Sequence, residues 1–323
     1  MAATKSSRSK GPVYLVTGGA GFIGSHIVGA LVERGERVRV LDNLSTGKKA
    51  YLAPYLKAIE FLKGDIRDKR ACAKAMKGVR FVLHQAALRS VPRSVDDPLS
   101  TDEVNVHGSL LVLQSAREAG VERLVYASSS SAYGDNPALP KVETMTPMPR
   151  SPYAVSKLTA EYYCRIYAQT FGLSTVSLRY FNIYGPKQDP KSQYAAVIPA
   201  FIDSLRRNRP AVIHGDGEQS RDFTFIEDCV AANLLACSAP GVDGEVFNIA
   251  YGAKTSINQI YATISSLLGR RLPAKYEPAR AGDVRHTLAD LTQARERLGY
   301  RPKTDIMAGL ERTVQWFVEH QKA

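Results

Sequence analysis

The stretch Val13-Tyr14-Leu15-Val16-Thr17-Gly18-Gly19-Ala20-Gly21-Phe22-Ile23-Gly24 decides the fold. Its first five residues are uncharged and mainly apolar or β-branched, the composition of a strand buried on both faces. Gly18, Gly21 and Gly24 follow at intervals of three, and the spacing then predicts a helix from Phe22 to about Glu33. Glycine lets a backbone approach a pyrophosphate closely, and a helix start adds N–H donors and a favourable dipole. Such a turn in isolation is a weak signal. At the first strand–helix junction of an alternating chain it is a strong one.

The alternation continues outward from that turn. A second strand over residues 37–41 ends at Asp42, where a carboxylate accepts both ribose hydroxyls of NAD and repels the 2′-phosphate of NADP, so the expected cofactor is NAD. Strands follow at 59–62, 80–84, 123–127 and 174–179, with helices at 68–76, 100–119 and from about Ser151-Pro152 onward. Strands alternating with helices form parallel βαβ units whose ligands bind at the carboxyl ends of the strands. The expected fold is α/β, a Rossmann-type doubly wound parallel sheet over residues 12–180.

Beyond residue 180 the pattern loosens into Gly- and Pro-rich connections such as Tyr184-Gly185-Pro186 and Gly215-Asp216-Gly217, with helices near 197–207, 227–237, 257–268 and 307–320. No internal repeat is visible. Residues 181–323 are expected to form mainly a smaller substrate-binding lobe interleaved with the first domain. Residues 1–11 read as a disordered basic tail.

Composition narrows the function classes. The chain has 323 residues, 44% of them hydrophobic and 23% charged, ordinary values for a globular protein. No apolar run is long enough to span a bilayer, and the first residues lack the apolar core of a signal peptide, so the cytoplasm is the expected location. Cys72, Cys164, Cys229 and Cys237 are far apart, which argues against a zinc site or a disulfide framework. The net charge of +12 is scattered and lacks interleaved aromatics, so it reads as a solvated surface that steers a nucleotide diphosphate rather than a nucleic-acid site.

The chemistry concentrates between Ser128 and Lys157, where a run of serines precedes Tyr153-Ala154-Val155-Ser156-Lys157. Four residues apart on a helix, Tyr153 and Lys157 share a face. An ammonium beside a phenol lowers the phenol's pKa, and the phenolate then takes a proton from an alcohol.

Taken together, the G-x-x-G-x-x-G at Gly18, the Y-x-x-x-K at Tyr153, Arg179-Tyr180-Phe181-Asn182 and Arg221-Asp222-Phe223 resemble the extended short-chain dehydrogenase/reductase family, and within it the nucleotide-sugar 4-epimerases. The resemblance runs from Val13 to about Trp316. It implies that Ser129, four residues before Tyr133-Gly134, and Tyr153 bond to the sugar O4, with Tyr153 as base and Lys157 lowering its pKa while holding the nicotinamide ribose. It implies cofactor contacts from Gly18, Gly21, Phe22, Ile23, Gly24, Asp42, Asn43, Asp65, Ile66, Ala86, Ala87 and Asn105. Substrate contacts are implied for Ser90, Ser130, Asn182, Gln188, Val197, Arg221, Arg280, Asp283 and Thr287, with no metal. The family commonly dimerises through the helices at 100–119 and at Tyr153, so a homodimer is expected.

Sugar 4,6-dehydratases resemble this chain but carry Asp-Glu after the catalytic hydroxyl residue, where Ser130 and Ser131 stand here. Decarboxylases likewise need a carboxylate nearby. The remaining chemistry is reversible oxidation at C4 through a transient 4-keto sugar. Residues 179–199 and 282–290 look most like epimerases of UDP-N-acetylglucosamine and UDP-N-acetylgalactosamine, and the small Thr287 is expected to admit the acetamido group, with UDP-glucose and UDP-galactose also accepted. UDP-glucuronate 4-epimerisation is the nearest rival, disfavoured by Asp189 where such enzymes carry Arg. A catalytically silent NAD-sensing protein of the same fold is the other alternative.

Overall fold

Short, almost uninterrupted apolar runs form the centre of the protein because each is buried on both sides. The computed structural model describes residues 13–190, 196–279 and 284–320. Strands β1 (Val13–Thr17), β2 (Arg37–Asp42), β3 (Ile59–Lys63), β4 (Val79–His84), β5 (Arg123–Ser129) and β6 (Ser174–Tyr180) join a seventh strand, Glu245–Ile249, in one sheet. From the seventh strand the order is β6, β5, β4, β1, β2, β3, with every neighbouring pair parallel. The order reverses between β1 and β4, which leaves a crevice at their carboxyl ends.

Alternate residues of the strands enter two separate cores, as a period of two requires. Val16, Leu83 and Val125 face one core, shared with the later helices, while Leu15, Val82 and Leu124 face the other. Helix α1 (Phe22–Glu33) follows the glycine turn and packs against the helix Ile226–Ser238. On the other face lie α2 (Lys69–Met76), α5 (Gly108–Glu118) and the long α6 (Pro152–Phe171). Asp68 caps α2 by accepting from Arg70 N and Ala71 N, and Ser151 caps α6 by accepting from Ala154 N. Gly172, at φ +70°, ends α6 in the left-handed region where glycine is favoured.

Two expectations need correction. The helix anticipated over residues 100–119 is divided into α4 (Pro98–Asp102), a wide π turn at Glu103–His107 and α5, after a short α3 (Val91–Asp96). The apolar period runs through the division, so sequence pattern does not reveal it. The sheet also does not stop at β6: Glu245–Ile249 pairs with it in parallel from Glu245↔Val176 to Ile249↔Tyr180. That strand is five residues between Gly-containing turns and carries the buried Asn248, so only its pairing with β6 makes it a strand.

After β6 the chain adds two-stranded pairings, Ile183–Tyr184 with Thr224–Phe225, Ser220–Asp222 with Lys254–Ser256, and Val212–His214 with Lys275–Glu277. Among the later helices, Val197–Arg206 and Ile306–His320 pack on Ile257–Leu267, and Thr292–Arg297 packs on the seventh strand. No helix among the described residues is long and apolar enough to cross a membrane. The tail at residues 1–11 lies outside the described residues.

Candidate active site

A cavity of roughly 950 Å³ opens along the carboxyl edge of the sheet. Its first wall is the glycine turn: Gly18, Gly21, Phe22, Ile23 and Gly24 all line it. Gly18 adopts φ +67°, and a Cβ there would meet Ala86 N at 2.7 Å. Gly24 lets α1 sit on the turn, since a Cβ would meet Gly18 O at 2.2 Å. The start of α1 has no side-chain cap and no acidic residue in its first turn, so its N–H groups are left for an anion.

Asp42 stands on the same wall at the end of β2. One carboxylate oxygen accepts from Ala20 N at 2.9 Å and the other from Leu44 N at 2.7 Å. Each oxygen keeps a second lone pair for a ribose hydroxyl. Burial pushes this carboxyl up, and the two N–H donors pull it back. Asn43 donates to Asp65 Oδ2 at 2.8 Å, and Arg67 binds both oxygens of Asp65 at 3.0 and 2.9 Å, holding it well below the usual carboxylate range. Ile66, Ala86 and Ala87 complete this end. A free anion-binding helix start beside a ribose-accepting carboxylate fits NAD.

The opposite wall carries Ser129, Ser130, Tyr153 and Lys157. Ser129 ends β5 and caps the short turn Ser130–Tyr133, its hydroxyl accepting from Ser131 N at 3.1 Å and Ser131 Oγ at 2.8 Å. Lys157 is buried, donates to Ala127 O at 2.9 Å and lies 5.1 Å from the Tyr126 ring centroid. Burial pushes its ammonium down to about 7. Burial also raises the Tyr153 phenol, while its bond with Ser129 and the charge of Arg89 pull it back.

On the substrate side, Ser90, Asn182, Gln188, Arg221 and Thr287 line the cavity. Ser90 takes φ +124° and spends its hydroxyl capping α3, accepting from Arg93 N at 3.2 Å. Asn182 donates to Asp222 O at 3.4 Å, and Arg221 donates to Ser220 O and Arg285 O at 3.0 and 3.1 Å. Thr287 Oγ1 accepts from Asp222 N at 3.3 Å. Gln188 is buried, and its Oε1 has no partner among the described residues. An orphaned acceptor on a cavity wall calls for a ligand N–H or O–H.

The model of the NAD dependent epimerase/dehydratase family matches residues 14–250. The chain belongs to that family. It is similar to the UDP-glucose 4-epimerase of Mycolicibacterium smegmatis, at 38% identity with 94% of this chain and 97% of that protein covered. Among solved structures, the UDP-N-acetylglucosamine 4-epimerase of Methanobrevibacter ruminantium in complex with UDP-N-acetylmuramic acid superposes with a TM-score of 0.92 at 38% identity, covering 97% of this chain and all of that one. The UDP-glucose 4-epimerase of Thermotoga maritima with UDP-glucose gives 0.92 at 39% identity, covering 96% of this chain and all of that one.

NAD is the cofactor of this epimerase/dehydratase fold. Three sequence expectations do not reach its cavity. Asn105 lies buried in the π turn, where Oδ1 accepts from Leu88 N at 2.8 Å and Nδ2 donates to Leu88 O and Ser156 Oγ, so it shapes the wall from behind. Val197 packs on the core, and its neighbour Ala196 lines the cavity instead. Asp189 does not line the cavity and is engaged by Lys48 at 2.8 Å, so the repulsion of a uronate does not follow from it. Arg280 and Asp283 lie outside the described residues.

Sequence reasoning missed Arg89 and His84. Arg89 is exposed on the cavity wall between β4 and α3, with no motif to mark it. His84 ends β4 fully buried, and burial pushes it down to about 3, so it is neutral. Ser109 gives its hydroxyl proton to Asn105 O at 2.6 Å, so His84 Nε2 donates to Ser109 Oγ and Nδ1 accepts from Thr17 Oγ1 at 2.7 Å. This network fixes the loop that carries Ala86.

Proposed function

We propose that the chain is an NAD-dependent UDP-sugar 4-epimerase that interconverts UDP-N-acetylglucosamine and UDP-N-acetylgalactosamine and also accepts UDP-glucose and UDP-galactose. The observation that carries this reading is the placement of Ser129, Tyr153 and Lys157 on one wall of a cavity whose far end holds the NAD-type glycine turn and Asp42. Bound NAD supplies the acceptor for a hydride from the sugar C4 and its later donor. The protein's own groups handle the proton: Ser129 orients the sugar O4, Tyr153 takes its proton and returns it, and Lys157 holds the nicotinamide ribose. The 4-keto sugar turns within the cavity between the two transfers.

Ser130 and Ser131 support epimerisation over water elimination, since neither side chain supplies the acid that a dehydratase uses. The small Thr287 on the cavity wall supports a pocket that admits an acetamido group, and the orphaned Gln188 Oε1 offers an acceptor for a sugar or amide donor. UDP-glucuronate stands as a second reading, favoured by the pairing of Asp189 with Lys48 away from the cavity wall. The complete Ser, Tyr and Lys set disfavours a silent NAD sensor. Exposed Val155, Tyr162 and Ile166 on α6 and Leu99 on α4 support self-association as a homodimer.

Incubating the purified protein, with no added NAD, with UDP-N-acetylglucosamine, UDP-glucose or UDP-glucuronate and following the C4 epimers by proton NMR tests the reading. Conversion of the acetylated sugar is expected. Exclusive conversion of the uronate would replace it with the second reading, and no conversion even with added NAD would leave the silent sensor.

A further inference from the structure

Beneath the catalytic wall lies an ion pair that the proton chemistry does not use. Glu161, one turn beyond Lys157 on α6, accepts from Arg179 Nη2 at 2.7 Å and from Arg179 Nε at 3.0 Å. The two side chains are 3% and 4% exposed. The oxygen that meets Nε also accepts from Ser128 Oγ at 2.7 Å, and Ser128 immediately precedes Ser129. One residue earlier, Ala127 O accepts from Lys157 Nζ at 2.9 Å. Helix α6 is thus fastened to two successive residues of the β5 edge, and Arg179 brings β6 into the same joint.

A buried ion pair adds little net stability, because desolvation offsets most of its attraction. What a two-pronged guanidinium–carboxylate contact supplies is fixed geometry. The joint also extends toward the segment that carries Thr287. The Arg179 guanidinium lies 4.7 Å from the Tyr133 ring centroid, and Tyr133 Oη donates to Asn248 Oδ1 at 2.7 Å. Asn248 Nδ2 donates to Lys141 O at 2.8 Å, and Lys141 N donates to Leu288 O at 2.7 Å, next to Thr287.

We propose that the Glu161–Arg179 pair positions the reaction: it sets the separation of Ser129 on β5 from Tyr153 and Lys157 on α6, and ties it to the Thr287 segment on the substrate side. Neither residue lines the cavity, so both are positioning residues, and the inference rests on the epimerase reading.

The test uses Arg179→Lys, Glu161→Gln, the double variant and Ser128→Ala beside the wild type, each with its NAD. Turnover is measured on whichever UDP-sugar the wild type converts, and crystal structures are determined for Arg179→Lys and Ser128→Ala. Arg179→Lys keeps the charge but loses the fork, and kcat is expected to fall roughly 10- to 100-fold with KM within about threefold, the order that ångström-scale misplacement costs. The double variant should lose no more than the worse single variant, because the pair acts as one unit. Ser128→Ala leaves the ion pair intact and should lower kcat about two- to fivefold while folding normally. Wild-type kcat in folded Arg179→Lys and Ser128→Ala would overturn the inference. So would crystals in which Ser129 Oγ, Tyr153 Oη and Lys157 Nζ have not moved. The crystallographic arm needs no substrate, so an inactive wild type defeats the epimerase reading while unmoved catalytic atoms defeat this one.

Discussion

Lys157 is held where its charge is poorly solvated, and that has a measurable consequence. Burial depresses its ammonium from the ordinary 10.5 to about 7. Between those values the unfolded chain keeps a proton that the folded chain has released, so the stability contributed by this group rises with pH across that window and is lowest below pH 7. The slope approaches about 1.4 kcal/mol per pH unit. Calorimetric Tm at pH 6.5, 8 and 9.5 should therefore show wild type gaining on Lys157→Met as pH rises. A constant difference would mean that Lys157 stays charged when folded. Tyr153→Phe should lower kcat about 10²- to 10⁴-fold in the NMR assay with NAD still bound, the range for removing a positioned base. Tyr153 and Lys157 could be paired from their local spacing, whereas Ser129 was marked only by the family resemblance at Tyr133-Gly134. Arg89 was not legible, because it reaches Tyr153 from a different loop.

Helices and strands were legible where their ends carry their own signals. Ser151-Pro152 starts α6, Asp68 starts α2, and Asp42 ends β2 as read. The tightest joint between elements is that of α1 with β1. Gly24→Ala would place a Cβ 2.2 Å from Gly18 O and 2.7 Å from Gly19 Cα, both backbone atoms that cannot swing aside. The helix start must then withdraw from the turn, and the purified variant should carry little NAD, measured by absorbance after acid release, with a lower Tm. Full NAD content would show that the junction is softer than its geometry. The π turn at Glu103–His107 escaped sequence reading because a wide turn keeps the apolar face nearly in phase. Asn105, which the resemblance implied as a cofactor contact, sits in that turn with its side chain bonded to Leu88 and Ser156.

The cavity is assembled from segments more than 250 residues apart, from Gly18 to Thr287. Thr287 enters because its N–H donates to Ser220 O at 3.1 Å and its hydroxyl accepts from Asp222 N. Asp222 in turn accepts from Tyr251 N and Gly252 N at 3.0 and 3.2 Å, beyond the end of the seventh strand. Thr287→Tyr should therefore lower kcat/KM for UDP-N-acetylglucosamine at least about tenfold more than for UDP-glucose, in the range for filling a pocket by a few methylene equivalents. Equal losses on both sugars would show that Thr287 does not bound the acetamido space.

Interactions between near neighbours are written in residue order, so the strand–glycine turn–helix unit, the βαβ alternation, the Asp42 terminus and the Tyr153–Lys157 face could be read without coordinates. Pairings across the chain depend on which apolar faces find each other. Only the folded protein seats Glu245–Ile249 beside β6, turns Asn105 behind the wall, draws Asp189 to Lys48 and buries Arg179 against Glu161. Each of those contacts joins residues that no local period relates, and each is decided by burial.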